Sequence, residues 1–317
     1  MKRNISGVLL LDKSYGMTSN KALQNVKRLY ASKKSGHTGT LDPMATGMLP
    51  ICMGEATKFT AMLLNADKTY EAVIKLGYCS TTGDAEGDIT RISTHDIAEL
   101  DTQYCETVVQ QFIGDIVQIP PMYSALKYSG KPLYQYARQG TTIERRSRTV
   151  SIYSILIKSI SGNDLTVLIR CGTGTYIRVL AEDIGKALGC GSAYLTDLRR
   201  HSIGNFDLSQ TKTLEQLESM DSDERYCCLM PIDSILHEFP SVSLNHREAK
   251  AIRQGRVLER ITDLDDINLQ KSCDKTVRLY YQQLFLGLGE ISAHFTIKPK
   301  RLLSNAYLDN QSGLLLN

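Results

Sequence analysis

The chain has 317 residues, 42% of them hydrophobic and 22% charged, with a formal net charge of +3. This balance supports a large folded domain plus a small second one and excludes a disordered polyelectrolyte. No apolar run reaches the length of a membrane span, and the eight cysteines contain no CxxC pair of the kind that closes on zinc, so they read as free thiols of a reducing compartment.

Gly7 to Leu11 is a short apolar strand, without the small-residue cleavage site of a signal peptide, and it ends at Asp12-Lys13-Ser14-Tyr15-Gly16. Thr18, Ser19 or Asn20 can cap the next helix, whose apolar residues Ala22, Leu23, Val26, Leu29 and Tyr30 recur at helical spacing. Ser35 to Gly47 holds three glycines, three threonines and a proline, which predicts an ordered loop with too few apolar residues for a core element. Tyr70 to Leu76 alternates like a half-buried strand and places Tyr70 on one face with Ala72 and Ile74; residues 82–87 form a polar turn after it.

Residues 97–113 are expected to be helical, and Pro120-Pro121 then breaks the chain before a stretch rich in Tyr and Lys. Val150 to Ile157 and Leu165 to Cys171 read as a hairpin turning at Gly162-Asn163. Ile177, Leu180, Ile184 and Leu188 give a helix face directly after it. A composition shift near Phe239-Pro240 divides the chain into residues 1–239 and 240–317. Beyond it come a short helix from Ala249 to Gly255 and two strand-like runs between Val277 and Ile297, set around Gly287 and Gly289. This second segment has the size of a small β-barrel.

The modest net charge hides an uneven distribution. Residues 1–66 carry nine Lys or Arg against three acids, and Lys127, Lys131, Arg138, Arg145, Arg146 and Arg148 form a second basic cluster. Two such patches on a near-neutral chain suit a local polyanion site.

The densest motif is Gly36-His37-Thr38-Gly39-Thr40-Leu41-Asp42-Pro43-Met44-Ala45-Thr46-Gly47. Its glycines let another backbone approach closely, and Pro43 restricts the wandering of Asp42. Alone, Asp-Pro is an ordinary turn dipeptide. In this order, without gaps, the twelve residues resemble the catalytic motif of the TruB family of tRNA pseudouridine synthases. Further matches follow in that family's order: Leu11-Asp12-Lys13 with Gly16-Met17-Thr18-Ser19, Lys68-Thr69-Tyr70, Pro120 to Lys127, Leu133 to Gly140, Gly174-Thr175-Tyr176-Ile177-Arg178 and Leu198-Arg199-Arg200. The sequence departs from the family at Ser14, where proline is usual, and by one extra residue near Cys190 to Tyr194. The resemblance is strong from residue 7 to about 205 and looser beyond.

The resemblance implies an α+β fold with a mixed, mainly antiparallel central sheet, plus a PUA-like barrel at the C-terminus. It implies isomerisation of uridine 55 in the T-loop of tRNA, with Asp42 as nucleophile, Tyr70 stacked on the base and taking the C5 proton, and Arg178 as partner of Asp42. Arg178 falls in the first turn of a helix after a strand, where a guanidinium can hold a carboxylate bidentately and lower its pKa. Tyr176 and Leu198 are expected to wall the pocket, His37 to stack in the space left by flipped nucleotides, with a general base as its second option, and Gly36, Lys13, Lys58, Lys127 and Arg138 to meet RNA. The implied partner is the tRNA T-arm, with no cofactor or metal, no required protein partner, no membrane, a monomeric state and a cytoplasmic setting. Attack at ribose C1′ and at uracil C6 both remain open. Two other readings share the residues: a non-catalytic RNA-binding protein, and a base-excising glycosidase, which needs a second, water-activating carboxylate.

Overall fold

Val8, Leu9, Leu10 and Leu11 are all buried in β1 (Gly7–Lys13). A run without alternation marks a strand that meets protein on both faces. The computed structural model describes residues 5–92, 101–259, 275–292 and 296–312. The expected helix start at residues 97–100 lies outside the described residues.

Thr18 caps α1 (Ser19–Leu29), accepting from the Lys21 amide at 3.1 Å, and Ala22, Leu23 and Val26 form its buried face. The stretch expected to be loop throughout begins with a short strand, β2 (Ser35–His37), and leads into β3 (Thr46–Met53). Leu41, Met44 and Ala45 between them are buried, so this segment does contribute to the core. Its few apolar residues are the ones that point inward. After α2 (Thr60–Asn65) comes β4 (Lys68–Leu76), then a small hairpin of β5 (Tyr78–Ser80) and β6 (Ile89–Arg91) around the polar turn.

The helix expected over 97–113 is shorter, α3 (Thr102–Gln110), capped by Asp101, and the chain continues into an unforeseen edge strand, β7 (Gly114–Gln118). A two-residue ribbon, β8 (Lys127–Tyr128) and β9 (Lys131–Pro132), precedes α4 (Leu133–Ala137). The hairpin of β10 (Arg148–Ser161) and β11 (Asp164–Cys171) turns at the expected Gly162-Asn163, and α5 (Ile177–Ala187) follows it. Then come β12 (Ala193–Ile203), β13 (Phe206–Asp207), α6 (Leu214–Ser219) and α7 (Ser222–Cys227).

These strands make a nine-stranded sheet in the order β1-β3-β12-β4-β11-β10-β7, with β13 on β12 and β2 on β3. Its pairs are antiparallel except β3 with β12, where Thr46 faces Arg199 and Gly47 faces Arg200. The C-terminal segment has β14 (Ser241–Leu244), α8 (His246–Arg253), β15 (Lys275–Tyr281), β16 (Leu284–Ile291), β17 (Ile297–Leu302) and α9 (Asn305–Ser312). Its strands form a separate four-stranded sheet, β14-β15-β16-β17. Gly287 and Gly289, expected between two runs, sit inside β16, and the chain turns instead at Gln282, at φ +54°. A Cβ on Gly287 would lie 2.4 Å from the Arg301 carbonyl, so glycine there permits close strand approach.

The two faces of β1 and β3 feed two cores. Leu9, Leu11, Leu49 and Ile51 pack with α1, β4, β11 and α5. Val8, Leu10, Met48 and Cys52 pack with Phe59 and with Val277, Leu279 and Phe285 of the C-terminal sheet. The large sheet therefore presents its first core and the ends of β4 and β12 to one side, and this is where the glycine-rich loop lies.

Candidate active site

Asp42 is held by its neighbours before any partner reaches its carboxylate. The Ser19 hydroxyl donates to the Leu41 carbonyl at 2.9 Å and accepts from the Leu41 amide at 2.8 Å. Lys13, fully buried, donates to Met17 O at 2.6 Å, Ser14 O at 3.0 Å and Pro43 O at 3.2 Å. Burial lowers the Lys13 ammonium to a pKa of about 8, against the pull of Asp42. The expected contact of Lys13 with RNA is therefore corrected, because its donors are turned inward onto the loop that carries Asp42.

Arg178 is the second residue of α5 and only 6% exposed. Its Nε lies 3.1 Å from Asp42 Oδ2 and its Nη1 lies 3.5 Å from Asp84 Oδ2. Nη1 also donates to Thr82 O at 2.8 Å, and Nη2 to Tyr123 O at 2.6 Å. The bidentate fork expected for Asp42 is thus replaced by a single contact, since the guanidinium is shared among four acceptors. The helix start is held by Gln118, 1% exposed, which donates to Tyr176 O at 3.2 Å and accepts from Tyr176 N at 3.0 Å. Tyr176, in the capping position, makes no side-chain cap of its own.

The expected lowering of the Asp42 pKa is also corrected. Burial is the largest influence and raises it, Asp84 adds to the rise, and Arg178 and Lys13 pull the other way without prevailing. Asp84, 2% exposed, carries no signal in the sequence beyond its place in a polar turn. It lies in the polar turn, accepting from Thr82 Oγ1 at 2.5 Å and from the Glu86 amide at 3.1 Å.

A cavity of about 400 Å³ opens beside Asp42, lined by Tyr70, Cys171, Tyr176, Leu198 and Arg200 among others. Leu198 is 5% exposed, and the Arg148 guanidinium sits 4.7 Å over the Tyr176 ring. A second cleft of about 460 Å³ shares Asp42 and Arg178 as a wall and contains His37, Asp84, Tyr134 and Arg138. His37 Nδ1 is buried without a partner, and burial with Arg200 nearby lowers its pKa, which favours the neutral ring. Gly36 precedes it on β2, with open space where a Cβ would stand.

The remaining basic residues divide. Arg138 is exposed, 5.5 Å over the Tyr134 ring, and Lys127 is exposed on β8. Lys58 is not at the cavity. Its ammonium pairs with Glu55 at 2.8 Å and donates to Leu302 O at 3.0 Å, tying the two sheets together. The RNA contact expected of Lys58 is corrected to this bridge. Arg200 closes the Leu198-Arg199-Arg200 motif, and nothing in a sequence announces that this arginine is 1% exposed.

Three family models match consecutive parts of the chain: TruB family pseudouridylate synthase (N terminal domain) over residues 27–177, tRNA pseudouridylate synthase B C-terminal domain over 178–237, and Pseudouridine synthase II TruB, C-terminal, over 240–303. The protein named tRNA pseudouridine synthase B of Nitrosospira multiformis is 52% identical over 305 residues, covering 95% of this chain and 96% of that one. Its namesake in Nitrosomonas europaea is 49% identical, covering 93% and 95%. Among solved structures, the crystal structure of a Cbf5–Nop10–Gar1 complex aligns with TM-score 0.70 at 24% identity, over 95% of this chain and 86% of that one, a likeness of fold. With matches of this extent on both domains, the chain belongs to the TruB family of pseudouridylate synthases.

Proposed function

We propose that the chain isomerises uridine 55 in the T-loop of tRNA to pseudouridine, with Asp42 as the covalent nucleophile. The observation that carries this reading is Asp42, 3.1 Å from a nearly buried Arg178, at the edge of a cavity whose wall includes Tyr70 and Leu198. Residues 1–239 act as the catalytic domain and 240–317 as a PUA-like RNA-binding domain, in a cytoplasmic monomer that needs no protein partner. The reaction breaks an N-glycosidic bond and forms a C–C bond at C5, with no redox change. A carboxylate and a proton acceptor suffice for it.

The target base is flipped into the cavity, at a cost of a few kcal/mol that stacking and phosphate contacts offset. Leu198, Tyr176 and Tyr70 exclude water there. Asp42 attacks ribose C1′ or uracil C6, the base is re-joined through C5, and Tyr70 takes the C5 proton. Arg138 and Lys127 meet the RNA backbone, His37 fills the space that the flipped nucleotides leave, and Gly36 gives it room.

A glycosidase needs a water-activating second carboxylate. Asp84 is close to Asp42, but it is buried and engaged by Arg178, Thr82 and Glu86. Release of tritium from tRNA labelled at uracil C5 tests the proposal. Stoichiometric label release with pseudouridine in the product supports it. Free uracil would point to the glycosidase, and binding without either product to the non-catalytic reading.

A further inference from the structure

Arg199 and Arg200 are neighbours on β12 with opposite surroundings. Arg199 forks onto the Asp12 carboxylate at 3.1 and 2.6 Å. Arg200 is 1% exposed and, among the described residues, pairs with no carboxylate. Its Nε donates to Met48 O at 2.7 Å, its Nη2 to Gly39 O at 2.8 Å, and its Nη1 reaches Tyr70 Oη at 3.4 Å. Gly39 gives this side chain its room: a Cβ there would lie 3.3 Å from Nη1.

A second buried cation, Lys68, 6% exposed, donates to Leu64 O at 2.6 Å and Ala66 O at 2.5 Å. The nearby Asp67 is engaged by Arg170 at 2.9 Å. The floor of the cavity is therefore cationic, with carbonyl oxygens as its main ligands. An unpaired charge out of water is costly. That cost falls when an acceptor beside it becomes an anion. Of the three acceptors that hold Arg200, two are amide carbonyls, and the one that can ionise is the Tyr70 phenol. Arg200 stands directly opposite Tyr70 in the β12–β4 ladder, so the sheet register itself sets the contact.

We propose that Arg200 is a positioning residue for proton transfer: it aims the Tyr70 oxygen into the cavity and is the counter-charge of the phenolate that accepts the C5 proton. This rests on the isomerase reading above. In the step, the Tyr70 phenolate takes the proton from C5 of the re-joined base. The C5–H pair becomes the C5=C6 bond, the C6=N1 pair moves to N1, and N1 takes a proton from solvent. Other charged or titratable groups around Tyr70 are Cys171 on β11, Lys68 on its own strand, Asp42 on the loop, Arg178 on α5 and Arg148 on β10. Burial raises the Tyr70 pKa and Arg200 is the largest influence lowering it, which agrees with the geometry.

The test combines Arg200→Gln with a more acidic phenol, 2,3-difluorotyrosine placed at position 70, in the full-length protein. Single-turnover isomerisation is followed against pH, and tRNA affinity is measured separately. Arg200→Gln should slow the step about a hundredfold, the scale of general-base catalysis, and move the ascending limb set by Tyr70 ionisation to higher pH while affinity stays within about threefold. Difluorotyrosine should restore at least about tenfold of that loss, because it ionises without help. A loss that the fluorinated residue leaves unchanged, with an unmoved pH limb, would overturn the proposal and make Arg200 a packing residue. If the glutamine variant does not fold, Arg200→Met, which also removes the charge, is put through the same two measurements and judged by the same outcomes. Tritium release by the unaltered protein reports separately on the isomerase reading, so failure of one is not confused with failure of the other.

Discussion

Around Asp42 the buried residues include five charged ones, Lys13, Lys68, Asp84, Arg178 and Arg200, none more than 6% exposed. In the C-terminal sheet they are Val277, Leu279, Leu286, Leu288 and Ile291, none more than 3% exposed. The first region is held by directional contacts, in which an error of a few tenths of an ångström leaves a donor unmatched. The second is held by apolar burial, which is indifferent to direction and roughly proportional to area. A substitution in the first region should therefore damage chemistry more than folding, and one in the second the reverse.

The sharpest break in that contrast is Asp42→Asn. It keeps the shape and removes the carboxylate proposed as nucleophile, so isomerisation should be lost while tRNA affinity stays within about tenfold, or about 1.4 kcal/mol. Tritium release with a binding isotherm checks it, and substantial residual turnover would remove Asp42 from the role.

Arg178→Lys comes next. An ammonium cannot serve Asp42, Asp84, Thr82 O and Tyr123 O together. The misplaced carboxylate should cost about a hundredfold in kcat. Near-native kcat in the lysine variant would mean that the shared guanidinium does not aim the nucleophile.

Leu279→Ala puts the other side of the comparison to work. The residue is fully buried, so denaturant unfolding should show a loss of about 2–5 kcal/mol, with kcat at saturating tRNA unchanged below the transition. A parallel fall in kcat would show that the two regions are not energetically separate.

The pH dependence is a finer probe. Asp42 must be ionised to attack, and its pKa lies above the ordinary 3.8, so the acid limb of the rate should lie above that value and activity should fall as pH drops through it. Asp84 contributes to the rise, so Asp84→Asn should move the limb to lower pH. A limb that stays put in the variant would remove Asp84 from the electrostatics.

The smallest effect concerns salt. Lys298 and Arg301 are exposed, whereas Lys300 is engaged by Glu290 at 2.9 Å. Neutralising Lys298 or Arg301 should flatten the slope of log affinity against log salt by about 0.7 to 0.9 each, and Lys300→Ala by less. An unchanged slope in all three would place the RNA elsewhere.

The legible parts of this chain were those where one rule acts alone. The period of α5 and the Gly162-Asn163 hairpin are local signals and fall where expected, and the cap of α1 is the first of the three residues the sequence offers. Misses came where tertiary contacts override composition. Edge strand β7 is five residues long with one fully buried side chain, Gln118, whose partner is the backbone of Tyr176. Lys13 and Lys58 are basic residues in a basic stretch, and the sequence cannot show that one faces inward and the other faces the second sheet. Asp84 and Arg200 look like surface charges until the fold supplies Arg178 and Tyr70 beside them.

The parallel pairing of β3 with β12 has a consequence in time. Thr46 and Arg199 are 153 residues apart in the chain, yet adjacent in the sheet. At about 5–20 residues per second of synthesis, the loop bearing Asp42 emerges roughly eight to thirty seconds before the strand that closes over it. During that interval β3 has β1 along one edge and β2 on part of the other, and the positions at Thr46 and Gly47 wait for β12. A nascent chain stopped short of Arg200 already contains Asp42, but lacks the cation that grips Gly39 and Met48. The contacts that Arg200 makes with the Asp42 loop and with β3 can therefore close only after β12 has been synthesised, late in the birth of the protein.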